Sequence, residues 1–355
     1  MSSYTILGLM SGTSMDGLDI SHVNFKIKDN GKIEFTVNQC KTYPYSKYTL
    51  NKLRRSKNLN TEEILVLDKE LGLIFAQKVN EFLSKNKIEK NSIDAIASHG
   101  HTIHHQPQNG FTQQIGCGDT IAFKTGIKVI NDFRQKDVIA GGQGAPLVPI
   151  GDKLLFGDTA EAYLNIGGFT NICIPRKKTI AFDICPGNLP LNEIVNKIGL
   201  EYDKDGELAR SGEINSEILE RLNSLDYYSR EKHKSLGTEW LEDKFTPLLH
   251  SIKKEEDKLR TIVEHIAIQV SKIVVQHKIK SLFITGGGAF NSFLIGQIDK
   301  NIEAKIILPP ATIIDFKEAL VFAFLGMRFL RNEINCLSIV TGASKDTIGG
   351  VLHLP

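Results

Sequence analysis

A chain of 355 residues is long for one compact domain and comfortable for two, and its 41% apolar content leaves ample material for a core in each. Lys and Arg number 43 against 41 Asp and Glu, a net charge of +2 spread along the chain. That balance argues against nucleic acid or an anionic membrane as partner and points to a small molecule.

No stretch approaches the ~18 continuous apolar residues of a membrane span. Met1 to Thr5 is polar without the basic start of an export signal, and Cys40, Cys117, Cys173, Cys185 and Cys336 are scattered and odd in number. A reducing cytoplasm is therefore expected.

Tyr4 to Met10 reads as a buried strand, followed by the turn-rich Ser11 to Gly17 and a second strand from Leu18 to about Ile27. Ile33, Phe35 and Val37 mark a third strand by their period of two. Thr61 to about Asn86 is helical, with a stripe of Ile64, Leu67, Leu71, Ile74, Phe75, Val79 and Phe82 and a capping box from Asn60 and Glu63. A strand at Ile93 to Ser98 runs into a histidine-rich loop, His99 to Pro107. Another, Ile127 to Asn131, precedes a long Gly- and Pro-rich loop, Asp132 to Pro149, which marks a domain junction.

The second half opens as the first did. Ala162 to Ile166 is a strand, Gly167-Gly168 a tight turn, Phe169 to Ile174 a returning strand, and Thr179 to Ile184 a third. A long helix near Asp257 to His277 carries the stripe Leu259, Ile262, Ile266, Val270 and Ile273. The strand Ser281 to Thr285 runs into Gly286-Gly287-Gly288, and a last helix spans Phe316 to Leu330. Strand, glycine turn and strand thus recur about 160 residues apart, the mark of two similar α/β domains. The expected division is 1–134 and 135–355, with the C-terminal segment as a further member of the first.

Three glycine clusters at strand ends suit an anion, since backbone N–H groups converge there and no Cβ blocks the approach of a phosphate. These are Gly12 to Gly17, Gly167-Gly168 and Gly286 to Gly288; taken singly, each is also an ordinary turn. No Gly-Lys-Ser/Thr follows the first, so it is not a Walker loop. A clamped triphosphate needs a base near the acceptor. Asp183 ends an apolar strand before the bend at Pro186-Gly187, where burial would strengthen it as a base, although a turn or N-cap aspartate fits there too. Arg134 suits either a bidentate clamp on an anion or a surface ion pair. Glu318, on the first turn of the last helix, suits either sugar hydroxyls or the helix dipole. His99 and His101 form a His-x-His pair that would suit a metal hydrolase, but no second His-rich segment supplies further ligands.

Together these segments closely resemble the anhydro-N-acetylmuramic acid kinase family of the sugar kinase, actin and Hsp70 superfamily. The resemblance runs in order through Gly8 to Asp19, Ser98-His99-Gly100, Asp132-Phe133-Arg134 and Gly141 to Pro149. It continues through Asn165 to Gly168, Pro186-Gly187-Asn188, Thr285 to Asn291, Glu318-Ala319-Leu320 and Thr341-Gly342-Ala343. It implies two ribonuclease-H-like, actin-like domains around a central nucleotide cleft, with ATP, Mg²⁺ and a homodimer. It assigns the ATP phosphates to Gly12, Thr13, Ser14, Met15, Asp16, Gly17, Leu18 and Asp19, met from the second domain by Gly167 and Gly168. Gly286, Gly287, Gly288 and Asn291 fall beside the nucleoside, Thr102, Arg134 and Glu318 on the sugar, and Asp183 becomes the base.

The chain departs from the family at three places. It has His101 for the usual Gln, Ile184-Cys185 for Thr-Gly after Asp183, and Pro149-Ile150-Gly151-Asp152 for Pro-Ala-Phe-His. Two rivals stand beside the family activity: a sugar kinase of altered specificity, and a non-catalytic nucleotide or sugar sensor on the same fold.

Overall fold

The computed structural model describes residues 2–12, 15, 17–177, 179–229 and 236–355. The chain forms two compact units: one runs to Phe156 and resumes over Phe316–Pro355, and the other is Gly157–Asp315. Each is built on one mixed sheet.

In the first unit the strands are β1 (Ser2–Ser11), β2 (Gly17–Ile27), β3 (Ile33–Pro44), β4 (Ala95–Gln106), β5 (Phe111–Ile115) and β6 (Val129–Asn131). The second contributes β7 (Ala162–Ile166), β8 (Phe169–Ile174), β9 (Ile180–Pro186), β10 (Ser281–Thr285) and β11 (Lys305–Ile307), and β12 (Val351–His353) returns to the first. The first sheet runs β12-β6-β4-β1-β2-β3, with β5 added to β4. The second runs β11-β10-β7-β8-β9.

In both, three antiparallel strands are followed by two parallel ones on the far side of the first, the 3-2-1-4-5 order of the ribonuclease H fold. The internal duplication expected from the sequence is thus present at the level of topology.

Strand β1 is buried from Ile6 to Ser11, where both its faces are covered. Leu7 and Leu9 join the core under the helix Thr61–Lys85, together with Leu67, Leu71, Phe75, Val79 and Phe82. That helix begins at the expected capping box, in which Asn60 accepts from the Glu63 N–H and Glu63 from the Asn60 N–H. On the other face, a Cβ at Gly8 would stand 1.9 Å from the Ala319 carbonyl oxygen, and one at Gly326 would stand 2.5 Å from the Ala97 Cβ. The helix Ala311–Leu330 therefore lies directly on β1 and β4. Non-helical angles at Phe316 (φ −113°, ψ 15°) break that helix, so Glu318 starts a fresh segment, as the sequence suggested.

Two expectations give way. The segment after Ser98 is not a loop: β4 bends at Gly100 (φ +75°) and continues to Gln106, because β5 pairs with it from His101 to Gln106. The segment 132–149 is not a bare loop either, since it contains the helix Gln135–Ile139.

The expected junction at 134/135 lies inside the first unit. Buried Asp137 accepts the Gly144 N–H (2.8 Å), the Thr341 hydroxyl (2.7 Å) and the Cys336 thiol, tying this segment to the C-terminal one.

Candidate active site

The first glycine turn connects β1 to β2. Met15 is left-handed (φ 61°), and its N–H donates to the Gly12 carbonyl. A Cβ on Gly17 would lie 2.3 Å from the Tyr43 carbonyl oxygen, so β2 starts under a contact only glycine tolerates. Thr13, Ser14 and Asp16 of the expected phosphate loop lie outside the described residues. The Leu18 side chain is fully buried in the core, so only its backbone remains for a ligand. Asp19 accepts the Thr42 hydroxyl at 2.6 Å.

Where β4 bends, the first unit gathers polar groups. Arg134 donates through Nε (3.1 Å) and Nη2 (2.9 Å) to Nε2 of buried His99, and through Nη1 (2.8 Å) to the Gly144 carbonyl. His99 Nδ1 lies 2.9 Å from the Gly100 carbonyl oxygen. A carbonyl can only accept, so Nδ1 carries the proton and Nε2 offers its lone pair. Burial, and then the Arg134 charge, hold the His99 pKa well below its ordinary value.

Burial also lowers the Arg134 pKa, while Glu318 acts to raise it. The Glu318 side chain retains accessible surface, yet enough protein surrounds it to raise its carboxyl pKa, against the charges of Arg134 and Lys317. Thr102 accepts from Gln114 Nε2 at 3.2 Å. Next to it, buried His101 places Nδ1 2.9 Å from the Ser11 hydroxyl, which itself receives the Tyr45 hydroxyl at 2.6 Å. Burial lowers the His101 pKa to about 4. The His-x-His pair is thus divided between two tasks, one bracing Arg134 and the other the end of β1.

In the second unit the remaining glycines collect at the end of β7. The carbonyls of Gly167 and Gly168 accept the N–H groups of Asn188, Gly187 and Leu189. Gly286 is at φ +83°, and Cβ atoms on it and on Gly288 would meet Ile166 at 2.6 and 2.3 Å. The Gly167-Gly168 turn, Gly187-Asn188 and Gly286 to Gly288 therefore surround one strand end, where open α/β sheets take ligands. The Asn291 side-chain oxygen caps the helix Ser292–Lys300 by accepting the Leu294 N–H (2.9 Å).

Asp183 is half-buried on β9, beside a register shift between Thr170 and Asn171 of the neighbouring strand. Its carboxylate accepts the Leu236 N–H (2.9 Å), and its carbonyl accepts the Tyr227 hydroxyl (2.5 Å). Tyr227 is itself fixed in an aromatic group with Tyr228, Trp240 and Phe245.

Several of these supports were not legible in the sequence. His99 lies within the matched segment Ser98-His99-Gly100, but its pairing with Arg134 spans 35 residues. The Leu236 contact is made by a backbone N–H, which no residue type advertises. Asp152, where the family has His, forms a buried ion pair with Lys317 at 2.7 Å, one residue before Glu318.

Two units, each with a sheet in 3-2-1-4-5 order and a turn holding glycine between its first two strands, define the duplicated ribonuclease-H-like class shared by sugar kinases and actin-like ATPases. Residues 4–355 match the sequence model of the family described as anhydro-N-acetylmuramic acid kinase. The chain belongs to that family and is a kinase.

Curated relatives agree along the whole length. An anhydro-N-acetylmuramic acid kinase of Sulfurovum sp. is 36% identical, with 99% of each chain covered. Another, of Shewanella woodyi, is 37% identical over the same shares. Among solved structures, the activator of 2-hydroxyisocaproyl-CoA dehydratase from Clostridium difficile, with bound ADPNP, aligns at a TM-score of 0.43 and 14% identity, covering 92% of this chain and 97% of that one. A ROK hexokinase from Thermus thermophilus aligns at 0.38 and 13%, covering 92% and 99%.

Proposed function

We propose that this chain uses ATP and water to convert 1,6-anhydro-N-acetylmuramic acid to N-acetylmuramic acid 6-phosphate and ADP, a step in recycling cell-wall peptidoglycan. The family match over residues 4–355 carries this reading.

The internal ether of the substrate ties O6 to the anomeric carbon, so no free hydroxyl awaits phosphorylation. Asp183 takes a proton from water, the water oxygen bonds to the anomeric carbon, the bond from that carbon to O6 breaks, and O6 takes the γ-phosphoryl group as its bond to the β-phosphate oxygen breaks and ADP leaves. The fixed carboxylate of Asp183, held by the Leu236 N–H, supports its part as base. Thr102, Arg134 and Glu318 contact the sugar, while Gly12 to Asp19, Gly167, Gly168, Gly286 to Gly288 and Asn291 serve ATP.

Among the described residues no group of three His, Cys, Asp or Glu could hold a metal by itself. Mg²⁺ would be held mainly by the nucleotide phosphates with one or two carboxylates, for which Asp19 is a candidate. When bound, the ion would offset phosphate charge. The family resemblance further supports a homodimer acting in the cytoplasm, and no described helix is long and apolar enough to cross a membrane.

Purified protein given ATP and the anhydro-sugar should yield a product heavier by one water and one phosphoryl group. Asp183→Asn should abolish that product while ATP still binds. Turnover near the wild-type rate in this variant would remove Asp183 from the reaction, and absence of product from the wild type would sink the proposal as a whole.

A further inference from the structure

Arg134 is held in an uncommon way for a functional arginine. Its hydrogen-bond acceptors, the His99 imidazole and the Gly144 carbonyl, are both neutral; among the described residues the Glu318 carboxyl acts on its charge without forming an ion pair at contact distance. A carboxylate partner would fix the guanidinium equally well but would also neutralise it. Neutral acceptors fix its position without placing a carboxylate in direct contact with it.

The arrangement depends on one tautomer of His99. The Gly100 carbonyl selects Nδ1–H, and the ring packs on Phe322 with centroids 4.7 Å apart, so the Nε2 lone pair is aimed before any ligand arrives. Of the five guanidinium N–H groups, that on Nε, one on Nη2 and one on Nη1 are occupied, which leaves one on each Nη for a ligand.

We propose that His99 is a positioning residue for sugar recognition, orienting Arg134 so that the remaining N–H groups of its guanidinium meet an anionic or strongly polar acceptor on the sugar substrate. This rests on the reading of Arg134 as a sugar contact. The depressed basicity of His99 agrees with it, because a protonated imidazole would turn an N–H toward an N–H.

The test is a double-mutant cycle in steady-state kinetics, with the sugar and ATP varied separately. Arg134→Ala and His99→Leu should each raise the sugar KM by at least ~10-fold with the ATP KM within ~2-fold, and the double variant should be no worse than Arg134→Ala alone. His99→Gln, which keeps one acceptor oxygen, should recover most of the loss, to within ~3-fold of wild type.

If Arg134→Ala leaves the sugar KM unchanged, the sugar-contact reading fails and the inference with it. If Arg134→Ala raises it and His99→Leu does not, the inference alone fails. It also fails if both KM values rise together without rescue by glutamine, which is what a merely structural histidine would give. Should the leucine variant not fold, the glutamine cycle decides. A His99→Gln effect that multiplies fully on top of Arg134→Ala overturns the proposal, and one that vanishes there supports it.

Discussion

Position 101 carries a histidine where the family resemblance puts glutamine, and its surroundings determine what that costs. The ring is 1% exposed and its Nδ1 meets the Ser11 hydroxyl, with Tyr45 donating to the same oxygen. Among the described residues no acid offsets a positive charge there, and burial lowers its pKa from 6.5 to about 4. Between those values the unfolded chain binds the proton and the folded one does not. Stability is therefore fully present above pH 6.5 and is lost as the pH falls toward 4. A shift of this size corresponds to roughly 3 kcal/mol. His101→Gln, whose amide oxygen can accept from Ser11, should flatten that part of the profile. Denaturant unfolding at neutral pH and near pH 4.5 would measure it. Equal loss of stability on acidification in both proteins would show that His101 is not an acid-sensitive site. Buried His99 and His265 titrate low for the same reason and would keep part of the slope.

Among the elements, the helix Pro149–Leu155 and the restarted part of Ala311–Leu330 are joined by two features of the atypical Pro149 to Asp152 segment. Gly151 permits close approach, since a Cβ there would stand 2.6 Å from Val321 Cγ2. Asp152 meets Lys317 with both side chains about 5% exposed. Burial raises the Asp152 pKa while the ammonium opposes it. Asp152→Ala would take the carboxylate from a buried ammonium, at a cost of about 3–5 kcal/mol. Asp152→Leu with Lys317→Met should restore most of that stability. A neutral effect of the single change in thermal melts would mean that the pair is solvated. On the proposed role of Glu318 as a sugar contact, the single variant, by disturbing Lys317 just before it, should also weaken sugar binding more than ATP binding.

Periodicity reached the helices that have one unbroken apolar stripe, Thr61–Lys85 and Glu255–Gln276, and the strands bounded by glycine turns. It missed the far half of β4, whose polar His101, Thr102, His104 and His105 resemble a loop until β5 pairs with them. The glycine clusters, Asp183 and Arg134 stand out as candidates by residue type. Their supports from Tyr227, Leu236 and His99 do not, because contacts across 35 to 53 residues leave no local pattern.

At the scale of the molecule, the two units differ in how the chain closes them. The second is continuous, and every buried member of its core falls between Ala162 and Ile314. The first is completed only when the chain returns at Phe316. Leu320, Phe322, Phe324, Leu325 and Met327 on that return are 0–1% exposed, and β12 pairs with β6. At about 2 kcal/mol for each buried side chain, removing these five would forfeit roughly 10 kcal/mol. That is comparable to the ~5–15 kcal/mol stability of a typical domain. A chain ending at residue 315 should therefore lose the first unit, while residues 157–315 expressed alone should melt in one cooperative transition. Calorimetry of the two fragments against the full chain would decide it. The division fails if the fragment 157–315 shows no transition, or if the chain ending at 315 keeps every transition of the whole.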